Sequence, residues 1–194
     1  IPERRCYMYP DDEDKEIADR FIIPHLIQKD IDTGRKLVAM HTTTLVTAKD
    51  WPIDRFNEVA RQLAAKDIVI FQLGAESDKA IENTVDLRGK LTFRQMAALL
   101  SKCSMFLGLD SGISYIAASQ DIPVICIMGM SSPITSGPIG SNVTFIEPSR
   151  PQECAWPCHT TCRFGQDKEC IKNISVEQVL NKFNEPKPLL VETV

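Results

Sequence analysis

Short Val- and Ile-rich runs separated by helix-patterned segments predict an α/β fold, a Rossmann-like parallel sheet with helices on both faces. The runs around residues 36–41, 68–73, 105–109 and 123–128 are continuously apolar rather than alternating, as strands buried on both faces are. The segments between them place apolar residues at helical spacing. The run Met105-Phe106-Leu107-Gly108-Leu109 ends in Asp110-Ser111-Gly112 just before the helix-patterned stretch Ile113 to Gln120. A strand that passes through a small polar residue and glycine into a helix makes an anion site. The first N–H groups of the helix point outward, glycine admits a ligand to the backbone, and the helix dipole favours phosphate. The ligand class this proposes is a phosphorylated small molecule.

Asp11 to Gln28 opens the order as an amphipathic helix, acidic in its first turn, with Ile17, Phe21 and Ile22 on one face and a bend or end near Pro24. It reads as a connector or outer helix within residues 1–35. Lys36 to His41 is a buried strand, and Thr42-Thr43-Thr44 its loop. Trp51-Pro52 opens a helix to about Ala65, with Pro52 suited to a first turn and Phe56, Val59, Ala60 and Leu63 buried. Ile68 to Leu73 is a strand stopped by Gly74. Asp78 to Glu82 reads as a short helix and Val85-Asp86-Leu87 as a weak strand. Thr92 caps a helix from Phe93 to Lys102, with Met96, Leu99 and Leu100 inward. Pro123 to Met128 and Val143 to Ile146 complete the strands. Residues 151–194 form a Cys-rich segment and a terminal helix packed on the same domain.

Composition removes several function classes. With 43% hydrophobic and 25% charged residues the chain can bury a full core, so a single domain with an appendage is expected. A net charge of -4 and the lack of a Lys/Arg run argue against a nucleic-acid partner, so any phosphate must be held locally. The most apolar stretch, Ile122 to Met130, is broken by Pro123 and Gly129 and falls short of the roughly 20 residues a transmembrane segment requires. No secretory signal is visible. The chain opens on Ile1-Pro2 without an initiator methionine, which suggests part of a longer protein.

Ligands of open α/β sheets sit at the carboxyl ends of the strands, so four loops carry the chemistry: Thr42 to Lys49, Gly74 to Asp78, Asp110 to Gly112 and Gly129 to Pro133. Lys49 can counter a diphosphate, helped by threonine hydroxyls, or can be an ordinary exposed lysine. Asp78 can accept from ribose hydroxyls or cap a helix. Asp110-Ser111-Gly112 can equally be an N-cap with a close-packing glycine. Tyr115 can reach a phosphate or pack. His41 and His159 have no acid or nucleophile at motif spacing, and no catalytic triad is expected.

Taken together, Lys49-Asp50-Trp51-Pro52, Leu73-Gly74-Ala75-Glu76-Ser77-Asp78, Leu87-Arg88-Gly89-Lys90-Leu91-Thr92 and Leu109-Asp110-Ser111-Gly112-Ile113-Ser114-Tyr115-Ile116-Ala117-Ala118 resemble family 9 of the glycosyltransferases, which includes the ADP-heptose:lipopolysaccharide heptosyltransferases. The resemblance runs from about Lys36 to Asn181 and covers the carboxy-terminal half of such an enzyme, one half of the two-Rossmann GT-B architecture. It implies that residues 36–150 bind a nucleoside-diphosphate sugar, while an amino-terminal half holds the acceptor and the general base. It implies diphosphate contacts for Lys49 and for a hydroxyl from Thr43 or Thr44, a ribose contact for Asp78, and diphosphate and sugar contacts for Asp110, Ser111 and Gly112. Tyr115 stands where the family usually has histidine, and implies a different donor, a substitute neutral donor group, or reduced activity. The implied acceptor is a lipopolysaccharide-type or other glycan, lipid-linked or protein hydroxyl. The implied place is the cytoplasm, at the inner face of the bacterial inner membrane.

The tail carries Cys154-x3-Cys158-x3-Cys162-x7-Cys170, also found in many family members. Four thiolates can hold a structural zinc or iron ion, although the spacing departs from paired Cys-x2-Cys knuckles; disulfides or reduced thiols remain the alternatives. No catalytic metal is expected, because Lys49 and the N–H groups near Ser111 and Gly112 can stabilise the leaving diphosphate. Two rival functions follow: a catalytically inactive nucleotide-sugar or interaction module, and a Rossmann oxidoreductase. The latter predicts Gly-x-Gly-x-x-Gly after the first strand, where the chain has His41-Thr42-Thr43-Thr44.

Overall fold

The computed structural model describes residues 6–26, 36–150, 154, 157, 158 and 169–184. Six parallel strands run in the order β3-β2-β1-β4-β5-β6: β1 (Leu37–Met40), β2 (Val69–Gln72), β3 (Val85–Asp86), β4 (Met105–Leu109), β5 (Val124–Ile127) and β6 (Val143–Ile146). In chain order the helices are α1 (Asp12–Ile22), α2 (Ile53–Ala64), α3 (Phe93–Leu100), α4 (Gly112–Ser119), α5 (Pro133–Ser136), α6 (Glu169–Lys172) and α7 (Val176–Asn184). β1 pairs with β2 on one side and with β4 on the other, Met40 lying opposite both Gln72 and Leu107. Strand order therefore reverses between β1 and β4, which opens a crevice at their carboxyl ends.

The continuous apolar runs are explained by burial on both faces. Leu37, Ala39, Phe71, Phe106, Val124 and Cys126 join a core with α1, α3 and α4. Val38, Met40, Ile70, Leu107, Ile125 and Ile127 join a second core with α2 and α7. Neighbouring strand residues thus point into opposite layers, and a polar residue on either face would be buried without water.

Helix starts follow local chemistry. Asp11 accepts from the Asp14 N–H at 3.0 Å while Asp14 accepts from the Asp11 N–H at 3.1 Å, a reciprocal cap that opens α1. Thr92 and Gln95 do the same for α3. The α1 helix ends at Ile22 in a 3-10 turn containing Pro24, short of the predicted Gln28, which lies outside the described residues. Pro52 occupies the cap position of α2, one residue before the first turn predicted for it.

One predicted element does not form. Residues 78–82 are not helical but a looped segment, because side chains take the backbone groups a helix would need. The Gln72 amide donates to the Lys79 carbonyl at 2.7 Å and accepts from the Ile81 N–H at 2.9 Å. Thr43 accepts from the Lys79 N–H at 3.3 Å, and Asn57 from the Glu82 N–H at 2.8 Å. Gln72 is fully buried, so its own amide needs these partners as much as the loop does.

The start of α2 fastens the far end of the chain. Trp51 is buried, its ring 4.9 Å from that of Phe56 at 84°, and its indole N–H donates to the Ile174 carbonyl at 3.0 Å. Arg55 donates to the same carbonyl at 2.5 Å and also to that of Lys172. Beyond this clamp, Ser175 and Gln178 form a reciprocal cap at the start of α7.

Candidate functional site

The crevice between β1 and β4 is floored by two strand ends. His41 follows β1 and its N–H donates to the Leu107 carbonyl at 3.0 Å, extending the pairing one residue past the strand. Asp110 follows β4. From the side, a 3-10 turn at Thr47–Lys49 brings Lys49 over the crevice, where its ammonium donates to Asp110 Oδ2 at 2.5 Å. Asp110 is buried and Lys49 partly exposed, so the acid anchors the ammonium at the cleft surface. A carboxylate this close would repel a phosphate by itself; paired with Lys49, it orients the cation.

Ser111 precedes α4 in extended backbone, the usual place for a serine that caps a helix, yet its side chain makes no cap hydrogen bond. Its hydroxyl lies 2.9 Å from His41 Nδ1 instead. Ser114, fully buried, donates to the Leu109 carbonyl at 2.5 Å and locks the strand-to-helix turn. A Cβ built on Gly112 meets nothing within 4 Å, so this glycine faces open space and the close-packing alternative does not apply. The helix end is thus uncapped by Ser111, unobstructed and pointed at the crevice.

His41 is the residue that spacing missed. It is 6% exposed, and its second nitrogen, Nε2, is 3.3 Å from Asp78 Oδ2. Asp78 also accepts from the Ala75 N–H at 2.9 Å, and a Cβ on Gly74, which has φ +142°, would stand 2.2 Å from the same oxygen. Asp78 thus holds a glycine turn and meets the imidazole rather than capping a helix. Burial lowers the His41 pKa, and Asp78 and Asp50 partly oppose the shift. The signal that could have found His41 was positional: it ends the apolar run of a central strand, where ligands of such sheets bind.

The remaining expected contacts are turned elsewhere. Thr43 accepts from the Lys79 N–H. The Thr44 hydroxyl donates within its own loop, 2.8 Å from the Val46 carbonyl and 2.9 Å from Asp50 Oδ1. The Tyr115 hydroxyl donates to the Ser136 carbonyl at 2.8 Å, tying α4 to α5, and burial first, then Asp110, raises its pKa. Of the four tail cysteines, Cys162 lies outside the described residues, and among the described residues no three His, Cys, Asp or Glu side chains come together to hold a metal. The Cys158 N–H donates to the Met130 carbonyl at 3.0 Å, which places this stretch beside the loop after β5.

The model of "Glycosyltransferase family 9 (heptosyltransferase)" matches residues 11–166, most of the chain and all of the crevice. The chain belongs to glycosyltransferase family 9. A relative in this family, the lipopolysaccharide core heptosyltransferase OpsX of Haemophilus influenzae, is 26% identical over 137 residues, covering 65% of the chain and 37% of the relative. The chain therefore spans well under half the length of that relative. Two family 9 structures share the fold. That of the family member from Veillonella parvula has a TM-score of 0.75 at 21% identity, covering 92% of this chain and 52% of the other. That of the dodecameric, iron-containing heptosyltransferase TibC of enterotoxigenic E. coli, in complex with ADP-D-beta-D-heptose, has a TM-score of 0.67 at 22% identity, covering 82% and 45%. Among the described residues no helix of this family 9 chain is long and apolar enough to cross a membrane.

Proposed function

We propose that the chain is the donor-binding half of a sugar transferase, holding a nucleoside-diphosphate sugar across the β1–β4 crevice. The observation that carries this is the uncapped start of α4, with Gly112 open to the crevice and Lys49 fixed beside it by Asp110. The diphosphate would lie on the Gly112 and Ile113 N–H groups with Lys49 as its counter-ion, and Asp78 stands where a ribose hydroxyl can donate to its second oxygen. As the bond from sugar to phosphate breaks, charge grows on the departing diphosphate. Fixed N–H groups and a preoriented ammonium stabilise it without reorganising. ADP-heptose, the nucleotide sugar bound to TibC, is the donor we propose, and a lipopolysaccharide-type hydroxyl, as the name of OpsX suggests, the acceptor. Acceptor and general base would come from the half that this chain lacks, with the assembled protein at the cytoplasmic face of the inner membrane.

Titration calorimetry with ADP-heptose, UDP-sugars and GDP-sugars tests the reading. Saturable binding of ADP-heptose that Lys49→Ala weakens by about tenfold, the loss expected for one charge-assisted contact, supports it. Binding of none of these nucleotides by the chain refutes it.

One observation favours a second reading, an inactive nucleotide-sugar module. The Tyr115 hydroxyl proton is already given to the Ser136 carbonyl, so tyrosine does not simply replace the histidine usual at this position. A nucleotide complex that releases no diphosphate when the chain is joined to its amino-terminal half would establish this module instead.

A further inference from the structure

Serine before a helix normally accepts a hydrogen bond from the second or third N–H of that helix, and in doing so closes the end to anions. At α4 this does not happen, because the Ser111 hydroxyl is drawn 2.9 Å from His41 Nδ1. The other ring nitrogen faces Asp78 Oδ2 at 3.3 Å. A carboxylate offers only lone pairs, so the nitrogen facing Asp78 carries the ring proton. The opposite nitrogen of a neutral imidazole then has only a lone pair, and Ser111 must donate to it. Burial of the ring favours this neutral form. Asp78 is itself held by the Ala75 N–H, so the order of donors is fixed from one end.

We propose that His41 is a positioning residue for the donor site: its Nδ1 lone pair accepts the hydrogen bond of the Ser111 hydroxyl, keeps the N-terminus of α4 uncapped for phosphate, and turns the Ser111 oxygen toward the crevice as an acceptor for a ligand hydroxyl. Phosphates are then left to the Gly112 and Ile113 N–H groups and to Lys49, while Ser111 reads the sugar part of the donor. The inference rests on the donor-site reading above and adds to it which ligand group each side chain recognises.

Two measurements test it. Nitrogen NMR of ring-labelled histidine, assigned by the signal lost in His41→Asn, reads the tautomer without any ligand, and an Nε2–H neutral ring is expected. Calorimetry with pyrophosphate and with ADP-heptose reads the consequence. His41→Leu lets Ser111 swing back onto the helix end and weakens pyrophosphate about tenfold, whereas the His41→Leu, Ser111→Ala double variant recovers most of that loss. Ser111→Ala alone weakens ADP-heptose more than pyrophosphate. If His41→Leu does not fold, His41→Gln, whose amide reaches only the Asp78 side, is expected to show the same loss, and His41→Asn, whose amide reaches Ser111, to avoid it. An Nδ1–H ring with intact nucleotide binding overturns the proposal alone, as do losses that simply add in the double variant. Failure of wild-type protein to bind either probe overturns the donor site and the proposal with it.

Discussion

Gly112 and Gly74 sit in neighbouring loops and are needed for opposite reasons. A Cβ on Gly112 meets open space, so Gly112→Ala is expected to leave the melting temperature unchanged while narrowing the approach to the helix N–H groups, weakening ADP-heptose by about tenfold. Equal melting curves with unequal calorimetric titrations check it; a lowered melting temperature would mean that the glycine serves packing. Gly74→Ala should act on the protein itself, since φ is +142° and the new methyl would overlap Asp78 Oδ2. His41 adds a pH dependence. Its folded pKa lies below the ordinary 6.5, so in acid the unfolded chain takes up a proton that the folded chain refuses. Stability should therefore fall as pH drops below about 6.5, and less steeply in His41→Asn, which thermal melts from pH 7.5 down to about 5.5 will show.

Among the elements, the start of α2 has the largest structural consequence. Trp51 and Arg55 hold the segment before α7 by its Lys172 and Ile174 carbonyls, and Val179 of α7 fills the same core as Phe56 and Leu63. Trp51→Phe keeps an aromatic ring but removes the indole donor, so the buried Ile174 carbonyl is left to Arg55 alone. A loss of about 1–2 kcal/mol in a denaturant melt is expected, against about 3–5 kcal/mol for Trp51→Ala, which also opens a cavity. Equal losses in the two variants would mean that the indole hydrogen bond and the ring contribute nothing separable. The elements that the sequence made plain are those whose partners are local or whose faces are all buried. The apolar runs became β1, β2, β4 and β5, and Thr92 caps α3, accepting from the Gln95 N–H. Residues 78–82 had helical polarity but lost their backbone groups to Gln72, Thr43 and Asn57, which no reading of neighbours along the chain could reveal. The same holds for the site. Asp110, Ser111 and Gly112 could be singled out because they directly follow β4, and Lys49 because it lies in the loop between β1 and α2, whereas the link from Asp78 through His41 to Ser111 joins three separate loops.

For the whole molecule the strand order decides what the chain does alone. Reversal between β1 and β4 opens a crevice between loops of both halves of the sheet, and the proposed donor site sets a leaving diphosphate there. Sugar transfer also requires a base for the acceptor hydroxyl. Among the described residues, the one histidine at the crevice does not fit that role. His41 is buried, and each of its ring nitrogens already faces a side chain, Ser111 on one side and Asp78 on the other. Asp110 is committed to Lys49. The chain spans 37% of the OpsX relative, so the proposed enzyme needs residues that this half does not supply. Purified as it stands, the chain should therefore bind ADP-heptose in a calorimeter yet release no ADP when a heptose-accepting glycan is added. Mixing or fusing it with its amino-terminal half should start ADP release, and Lys49→Ala in that assembly should reduce kcat as well as affinity, because the ammonium meets more charge on the departing diphosphate than on the bound donor. Robust transfer by the isolated chain would place a base within the crevice after all and would sink the division of labour argued from His41.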